Sequence, residues 1–325
     1  MKKNRYDLWE KEEYNYPLAC GFMPNIVSCL HEDETIRPCI LITPGGGYRG
    51  VSPAEGEIVA NVFYEKGYQV FVLTYTTNYT YTAPLMRQPM HDLGRAIRMI
   101  RKDAPNFHVD PDKIILCGFS AGGHLSASVC VHYEDIVEEN KKYADISARP
   151  DAAILSYPVI TSGEYAHQDS FKALCGENEK ETAYMSLEKY VTSDTPPCFI
   201  WHTATDDIVP VENSYLFAQS CKKAGVTFAH HVFSQGGHGL SLANEDWAEE
   251  NYGEPYTYEQ EAIVISLIAK GELSFEAEIE ENLKKEINEN HKNKEMSLNT
   301  KKPNEEVRVW PLLAQQWLKE QILKG

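Results

Sequence analysis

A serine lies at the centre of the run GFSAG, residues 118–122, directly after the apolar stretch KIILC. The small residues around it suit a sharp turn from a strand into a helix, where the central residue is strained and larger side chains would collide. A bare G-x-S-x-G run is common by chance, and an ordinary glycine-rich turn is the alternative. With a predicted strand before it and a helical stretch from His124 after it, Ser120 is a candidate nucleophile.

A serine hydroxyl is a weak nucleophile at neutral pH, so it needs a base within hydrogen-bonding distance and a third group that orients the base. The sequence contains 11 histidines. Most of them lie in predicted strands, helices or polar surface segments. His238 differs because it lies in the glycine-rich run QGGHGL, directly after the last predicted strand. A flexible loop there can carry an imidazole to Ser120, so His238 is the predicted base.

The orienting carboxylate is expected in the loop after the intervening strand. Asp206 and Asp207 follow the apolar run CFIWH within the segment TATDDIVP. Neighbouring side chains in a turn point in different directions, so only one of the two can face His238. The other interpretation of Asp207 is a charge at the N-terminus of the helix predicted from Val211. From the residues alone, both aspartates remain candidates.

Three consecutive glycines follow another predicted strand, PCILIT, in the run PGGGY at residues 44–48. Without Cβ atoms in the way, their amides can approach a ligand closely. The amides of Gly46 and Gly47, with that of Ala121 after the serine, would suit a carbonyl oxygen that becomes negative during acyl transfer. A phosphate-binding loop is the rival interpretation, but no G-K-[ST] follows and no acidic residue has the spacing of a dinucleotide site.

Short apolar runs of strand length alternate with helical patterns along the chain. One amphipathic helix is predicted at residues 91–101, with Arg95, Arg98 and Arg101 left for solvent, and another at 211–224, closed by a glycine. Apolar strands separated by helices predict an α/β fold with a mostly parallel sheet covered on both faces. Active sites in such sheets lie at the carboxyl ends of the strands. The predicted strands are residues 38–43, 68–75, 113–117, 152–156, 198–202 and 227–233.

The composition changes after about residue 250. Residues 271–306 contain ten Glu and six Lys but no Asp or Arg. An apolar stripe on this charged helix recurs at four-residue spacing and consists of Phe275, Ile279, Leu283 and Ile287. We therefore predict a charged helical insertion at 250–306 within a single domain, 1–325. The simplest interpretation places it on the flank of the domain, and a lid or a dimer contact is the alternative.

Charge and composition exclude several classes of protein. The chain has 31 Lys and Arg against 48 Asp and Glu, a net charge of −17, which opposes binding to nucleic-acid phosphates. No apolar run approaches the ~18 residues of a membrane span, and no secretion signal is evident at the start. The eight cysteines form no C-x-x-C pair, which favours reduced thiols in a soluble, cytoplasmic protein.

Together these segments resemble the alpha/beta-hydrolase superfamily, in particular its hormone-sensitive-lipase-like and carbohydrate-esterase-like (acetyl xylan esterase-like) branch. The resemblance rests on PGGGY, DLGRAIRMIR, DPDKIILCGFSAGGHL, RPDAAILSYPVIT, TPPCFIWHTATDD and GGHGLSL, and VWPLLAQQWL at 309–318 looks like that group's final helix. The superfamily's order of nucleophile, acid and base implies Ser120, Asp206 and His238, with the acid four residues after His202. The chain departs from lipase-like relatives at Pro44, where they have histidine, and in the long segment before the last helix.

The resemblance implies a serine carboxylesterase that hydrolyses short-chain acyl esters through an acyl-enzyme, with acetylated xylo- or other oligosaccharides as the favoured substrates. An amidase, formamidase or peptidase of the same fold is the nearer alternative, and a noncatalytic binding module the further one. The chemistry is complete without a metal or a cofactor, so neither is predicted. The expected partner is a small-molecule ester rather than nucleic acid or membrane, and the oligomeric state is open, a dimer included.

Aromatic residues in loops are candidates for contact with the substrate. Tyr48, Tyr79 and Tyr81 follow predicted strands at the edge where a pocket would form, although tyrosine is abundant in this chain and simple packing is an equal alternative. Residues 157–190, which include His167, fall where the superfamily inserts a cap. The resemblance implies that this segment supplies specificity.

Overall fold

One eight-stranded sheet forms the centre of the protein in the computed structural model, which describes residues 1–296 and 301–323. The strands are β1 (Lys2–Asp7), β2 (Asn25–Leu30), β3 (Arg37–Thr43), β4 (Gln69–Thr74), β5 (Val109–Phe119), β6 (Ala152–Ser156), β7 (Cys198–Thr203) and β8 (Phe228–Phe233). Their order across the sheet is β1-β2-β4-β3-β5-β6-β7-β8. The strands from β3 to β8 are parallel, while β2 is antiparallel to both β1 and β4. The predicted α/β fold with a mostly parallel sheet is therefore confirmed.

Helices cover both faces of this sheet, and each face has its own apolar core. The helices are α1 (Glu57–Glu65), α2 (Gln88–Lys102), α3 (Ala104–Phe107), α4 (Ser120–His132), α5 (Gln168–Cys175), α6 (Glu179–Tyr184), α7 (Glu212–Ala224), α8 (Glu245–Ala248), α9 (Glu259–Lys270), α10 (Ala277–Met296) and α11 (Trp310–Gln321). On one face Leu93, Leu125 and Phe217 bring α2, α4 and α7 together, and on the other Phe63 and Trp310 join α1 to α11.

The parallel register brings the predicted motifs to one edge of the sheet. Thr43, the last residue of β3, pairs with Gly118 of β5, and Thr203, the last residue of β7, pairs with Phe233 of β8. The loops after these four strands therefore leave the sheet side by side. They carry the glycine run, the serine, the two aspartates and His238, as expected for the carboxyl ends of parallel strands.

The arginines of α2 differ from the prediction. Arg95 and Arg98 are buried rather than solvated. Arg95 donates two hydrogen bonds of 2.7 Å to Glu138, and Arg98 donates to the carbonyl oxygens of Ile136 and Ile146. The segment after α4 covers this face of α2 and supplies acceptors for both guanidinium groups, so the expectation of a solvated face was wrong for these two residues.

Beyond β8 the chain forms α8, α9 and α10 before it returns to the sheet as α11. The apolar stripe predicted for the insertion packs against α9 and against Tyr79: the cluster consists of Tyr79, Val264, Ile268 and Leu283, with Phe275, Ile279 and Ile287 around it. Residues 297–300 of the predicted insertion lie outside the described residues. All eight cysteines are free thiols, and seven of them are buried. Among the helices of the described ranges, none has both the length and the apolar character of a membrane span.

Candidate active site

Ser120 lies where β5 ends and α4 begins, in the left-handed region of backbone conformation with φ of 52°. Close packing explains why a glycine stands at position 122. A Cβ on Gly122 would overlap the carbonyl oxygens of Thr43 and Pro44, so α4 can approach β3 this closely only with glycine there. The turn is thus the sharp strand-to-helix connection that the run GFSAG predicts, with a strained central residue whose hydroxyl points out of the sheet edge.

The serine, the histidine and one aspartate form a continuous line of hydrogen bonds. The Ser120 hydroxyl lies 2.7 Å from Nε2 of His238, and Nδ1 of His238 lies 2.7 Å from Oδ2 of Asp206. Because a carboxylate can only accept, Nδ1 carries the proton and Nε2 is left to accept the hydrogen bond from the serine. The imidazole is therefore in the tautomer that can take a proton from Ser120.

Asp206 is held as an anion by four donors. Its Oδ1 accepts hydrogen bonds from the amides of Ile208 and Val209, and its Oδ2 faces both His238 and Nε2 of His202 at 3.2 Å. Burial alone would raise the pKa of this carboxyl, but the hydrogen bonds from His202 and His238 hold the pKa well below its usual range. The carboxylate at this position is therefore a hydrogen-bond acceptor that orients the imidazole beside it.

Asp207 points elsewhere. This residue is exposed, and its Oδ1 accepts a hydrogen bond of 3.3 Å from the backbone amide of His238. The contact fixes the loop rather than the imidazole. Of the two candidate carboxylates, only Asp206 touches the histidine ring.

The glycine run lies directly against the serine. A Cβ on Gly45 would stand 2.8 Å from Cβ of Ser120, and the amide of Gly45 donates to Oε2 of Glu55 at 2.7 Å. Gly46 and Gly47 have φ of 125° and 63°, values that side chains rarely permit. Among the described residues, the amides of Gly46 and Gly47 donate to no other backbone group. Ala121 lies in the first turn of α4, where amides lack an intrahelical acceptor.

Sequence reasoning missed a buried pair that underlies this site. Oε1 of Glu55 accepts a 2.6 Å hydrogen bond from the hydroxyl of Tyr157, which in turn accepts one from the amide of Ser241. The Tyr157 ring meets the His238 ring edge to face, with centroids 5.0 Å apart. Burial raises the pKa of Glu55, while its hydrogen bonds from Tyr157 and Gly45 oppose the rise. The only sequence signal was the position of Tyr157, directly after a buried strand.

The four residues predicted to contact substrate lie in different surroundings. Tyr48 is buried, and its hydroxyl lies 2.7 Å from Nδ1 of His124, so contact with a substrate would require the ring to leave the core. Tyr79 is also buried, within the cluster formed by α9 and α10. Tyr81 and His167 are only partly buried.

His167 contacts a serine of its own segment, Ser170, which lies beside the glycine run. Its Nδ1 is 2.8 Å from the hydroxyl of Ser170, and that hydroxyl would stand 3.9 Å from a Cβ on Gly47. Burial lowers the pKa of His167, and the charge of a protonated His238 would lower it further. The segment 157–190 thus reaches the glycine run through Ser170, which is itself in contact with His167.

Tyr81 borders a cavity of about 640 Å³ between its own loop and α10. Lys172, Glu276 and Glu286 contribute charged groups to this cavity, and Phe275 contributes an apolar wall. Within residues 1–296 and 301–323, no three His, Cys, Asp or Glu side chains come together in a way that could hold a metal ion.

Glu261 of α9 occupies the space beside Gly50, where a Cβ on the glycine would overlap the carboxylate. Together with Arg49, Tyr258 and Glu286 it lines a cavity of about 250 Å³ behind the glycine run. Burial raises the pKa of Glu261 to about 7; a hydrogen bond from Tyr258 and the charge of Arg49 oppose the rise, and Glu286 adds to it.

We expect Glu261→Gln to change how stability depends on pH. Because the pKa of Glu261 is higher in the folded protein than in the unfolded chain, its contribution is fully present below about pH 4.3 and lost as the pH rises through 7. From pH 5 to pH 8 the variant should therefore gain on the order of 2 kcal/mol of unfolding free energy relative to the parent, after allowance for partial solvent access. Urea unfolding at both pH values measures this. Glu278→Gln, at an exposed position on α10, is the control; equal pH dependence in both variants would contradict the prediction.

The fold and this arrangement define an alpha/beta hydrolase in which hydrogen bonds join a serine to a histidine and the histidine to an aspartate. The chain belongs to the BD-FAE family, whose model matches residues 27–221. This places it in the esterase branch of the alpha/beta hydrolases. The matched region contains the glycine run, Ser120 and Asp206, while His238 lies beyond it.

Known relatives agree with this placement. The chain is 48% identical over 262 residues to endo-1,4-beta-xylanase B of Butyrivibrio fibrisolvens, an alignment that covers 80% of this chain and 41% of that protein. It is 29% identical over 222 residues to the acetylxylan esterase of Xylanibacter ruminicola, with 66% and 43% covered. The chain thus spans less than half the length of these two curated relatives. The fold is also similar to the crystal structure of the acetyl ester-xyloside bifunctional hydrolase of Caldicellulosiruptor lactoaceticus, with a TM-score of 0.69 and 37% sequence identity. That match covers 77% of this chain and 94% of the other.

Proposed function

We propose that the protein is a serine carboxylesterase that removes short acyl groups, acetyl above all, from esters of xylo-oligosaccharides or similar carbohydrates. The observation that carries the proposal is the line from the Ser120 hydroxyl through His238 to Asp206, with both contacts at 2.7 Å. This is the arrangement needed to make a serine oxygen nucleophilic at neutral pH.

In the proposed reaction, the Ser120 oxygen attacks the ester carbonyl carbon while its proton moves to Nε2 of His238. Asp206 stabilises the imidazolium that forms. The imidazolium then gives the proton to the departing alcohol, and the acyl group remains on the serine. Water, deprotonated by the same nitrogen, attacks the acyl-enzyme, and the carboxylic acid leaves with Ser120 restored.

The carbonyl oxygen becomes negative in both steps, and the amides of Gly46, Gly47 and Ala121 are the proposed donors to it. Two features support this role. Gly45 packs against Ser120, so the glycine run adjoins the reacting atoms. The first turn of α4 adds the positive end of a helix dipole. One such donor typically contributes 10²–10³-fold to turnover.

The choice of substrate draws on the relatives, since two of the three act on acetyl or acetylxylan esters according to their names. The surroundings of the glycine run support a specificity role for the segment 157–190, because Ser170 lies beside Gly47 and is in contact with His167. Tyr81, which lines the cavity of about 640 Å³, is the second proposed contact. Tyr48 and Tyr79 are buried and would act by supporting the loops.

Matched substrates test the proposed function. We expect release of acetate from acetylated xylo-oligosaccharides and from 4-nitrophenyl acetate, and at least 10²-fold slower cleavage of 4-nitroacetanilide. Faster cleavage of the anilide would make the protein an amidase of the same fold. An organophosphonate should modify Ser120, as located by mass spectrometry. Absence of both turnover and labelling would leave a noncatalytic binding module.

A further inference from the structure

Arg49 joins the glycine run to the charged helix α10. Its Nη1 and Nη2 donate to the two carboxylate oxygens of Glu286 at 2.8 and 3.0 Å, a paired geometry that fixes the plane of the guanidinium. Its Nε and Nη2 also donate to the carbonyl oxygen of Tyr79, both at 2.9 Å. The rings of Tyr79 and Tyr81 lie over the guanidinium carbon, with centroids 4.8 and 4.5 Å away. The position of Arg49 is therefore set by α10 and by the loop after β4.

The backbone of Arg49 closes the turn that contains the glycines. The amides of Arg49 and Gly50 both donate to the carbonyl oxygen of Gly46, at 3.0 and 3.2 Å. Gly46 and Gly47 have positive φ angles, and they have no side chains that could hold them in place. The direction of their amides thus depends on Arg49, the residue that ends the turn. The side chain of Arg49 is in turn held by Glu286 and by the carbonyl oxygen of Tyr79.

The two helices of the insertion are themselves anchored where they meet the turn. Val264 and Ile268 of α9 and Leu283 of α10 bury their side chains against the Tyr79 ring. Glu261 of α9 fills the space beside Gly50. The packed pair of helices restricts the motion of Glu286 on α10. The ion pair between Glu286 and Arg49 therefore restricts the motion of the glycine turn.

We propose that Arg49 and Glu286 are positioning residues, through which the insertion holds the amides of Gly46 and Gly47 in the orientation that binds the oxyanion. The inference rests on the proposed esterase function. It assigns the insertion a role in turnover, in addition to the apolar contacts that α9 and α10 make with Tyr79. Neither side chain touches the substrate: both act through the backbone of the turn.

The expected effect is on kcat rather than on KM. An oxyanion site stabilises the tetrahedral state more than the bound ester, and a displacement of about 1 Å can cost on the order of 10²-fold in rate. Part of the support, from Tyr79 and from the turn itself, remains when Glu286 is removed. We therefore expect Glu286→Ala to lower kcat about tenfold, with KM within twofold of the parent value.

The experiment compares Glu286→Ala with Glu289→Ala, using 4-nitrophenyl acetate and the full chain. Glu289 lies on the same helix in an exposed ion pair with Lys285, so its loss changes the charge by the same amount away from the turn. Active sites are titrated with an organophosphonate, and kcat is expressed per labelled serine. Inhibition by a phenylboronic acid, which forms a tetrahedral adduct with a serine, provides a second readout and should weaken in parallel with kcat.

If Glu286 had a purely structural role, Glu286→Ala would contain a smaller fraction of molecules that the organophosphonate labels. Its kcat per labelled serine would then be unchanged. The inference is overturned if kcat per site and the boronate affinity of Glu286→Ala stay within twofold of those of Glu289→Ala. If Glu286→Ala does not fold, Glu286→Gln is judged by the same twofold limit, since it keeps the side-chain volume. Absence of turnover and labelling in the parent protein would instead contradict the proposed function itself.

Discussion

Replacing Ser120 with alanine is expected to lower kcat for a small aryl acetate by about 10⁶-fold while the protein stays folded. The hydroxyl has one role in the structure, the contact with Nε2 of His238, and losing one such hydrogen bond costs only about 1 kcal/mol of stability. Alanine has to adopt the same strained backbone as serine, so the turn keeps its shape. Steady-state hydrolysis and thermal unfolding, measured on one preparation, separate the two effects.

Ser128 provides the matched control for that substitution. It lies on the same helix and is buried, but its hydroxyl donates to the carbonyl oxygen of His124, one turn back along α4. Ser128→Ala should keep activity within about threefold of the parent value. If Ser120→Ala retained even one hundredth of the parent kcat, or if the two variants lost activity equally, another group would have to be the nucleophile.

The sequence predicted which segments the structure brings together, because each of them directly follows a strand of the sheet. Parallel strands place their carboxyl ends at one edge, so Ser120 and His238 were expected at the same edge once the strands were assigned. Local chemistry then identified the residues: glycines around a strained serine, and a histidine in a glycine-rich loop. The choice between Asp206 and Asp207 depended on resemblance, since the residues alone do not say which of two adjacent side chains faces the ring.

Contacts between segments that are distant in the chain could not be predicted. Arg95 and Arg98 have the spacing of a solvated helix face, yet a loop some forty residues later supplies buried acceptors for both. Glu55 was not among the candidates, and its hydrogen bond to Tyr157 spans 102 positions. Hydrophobic periodicity carries no information about such polar partners, because they depend on which loops cover which helices.

The two N-terminal strands were missed for a related reason. β1 is polar and lies at the edge of the sheet with none of its residues buried. No helix separates β1, β2 and β3, so the first two strands do not follow the alternation of strand and helix that revealed the others. The contact between Arg49 and Glu286 spans 237 positions, and the stripe on α10 gave no hint of it. The stripe predicted an amphipathic helix, but only the tertiary structure identifies the surface that it covers.

Asp206→Asn is expected to lower kcat by on the order of 10⁴-fold, because an amide cannot satisfy the four donors that surround this carboxylate. Both oxygens of Asp206 accept: Oδ1 from the amides of Ile208 and Val209, and Oδ2 from His238 and His202. Asparagine has one acceptor oxygen and one NH₂ group. If its oxygen stays with the backbone amides, its NH₂ donates to Nδ1 of the imidazole. The ring proton then moves to Nε2, which can no longer accept the proton of the serine.

Asp207→Asn is the control that distinguishes the two adjacent aspartates. Asp207 is exposed and receives only the backbone amide of His238, a contact that the oxygen of asparagine can keep, so kcat should stay within about threefold of the parent value. Both variants should still fold, which circular dichroism and thermal unfolding check. Loss of activity in Asp207→Asn with activity retained in Asp206→Asn would reverse the assignment of the acid. Full activity in both would mean that His238 needs no carboxylate to set its tautomer.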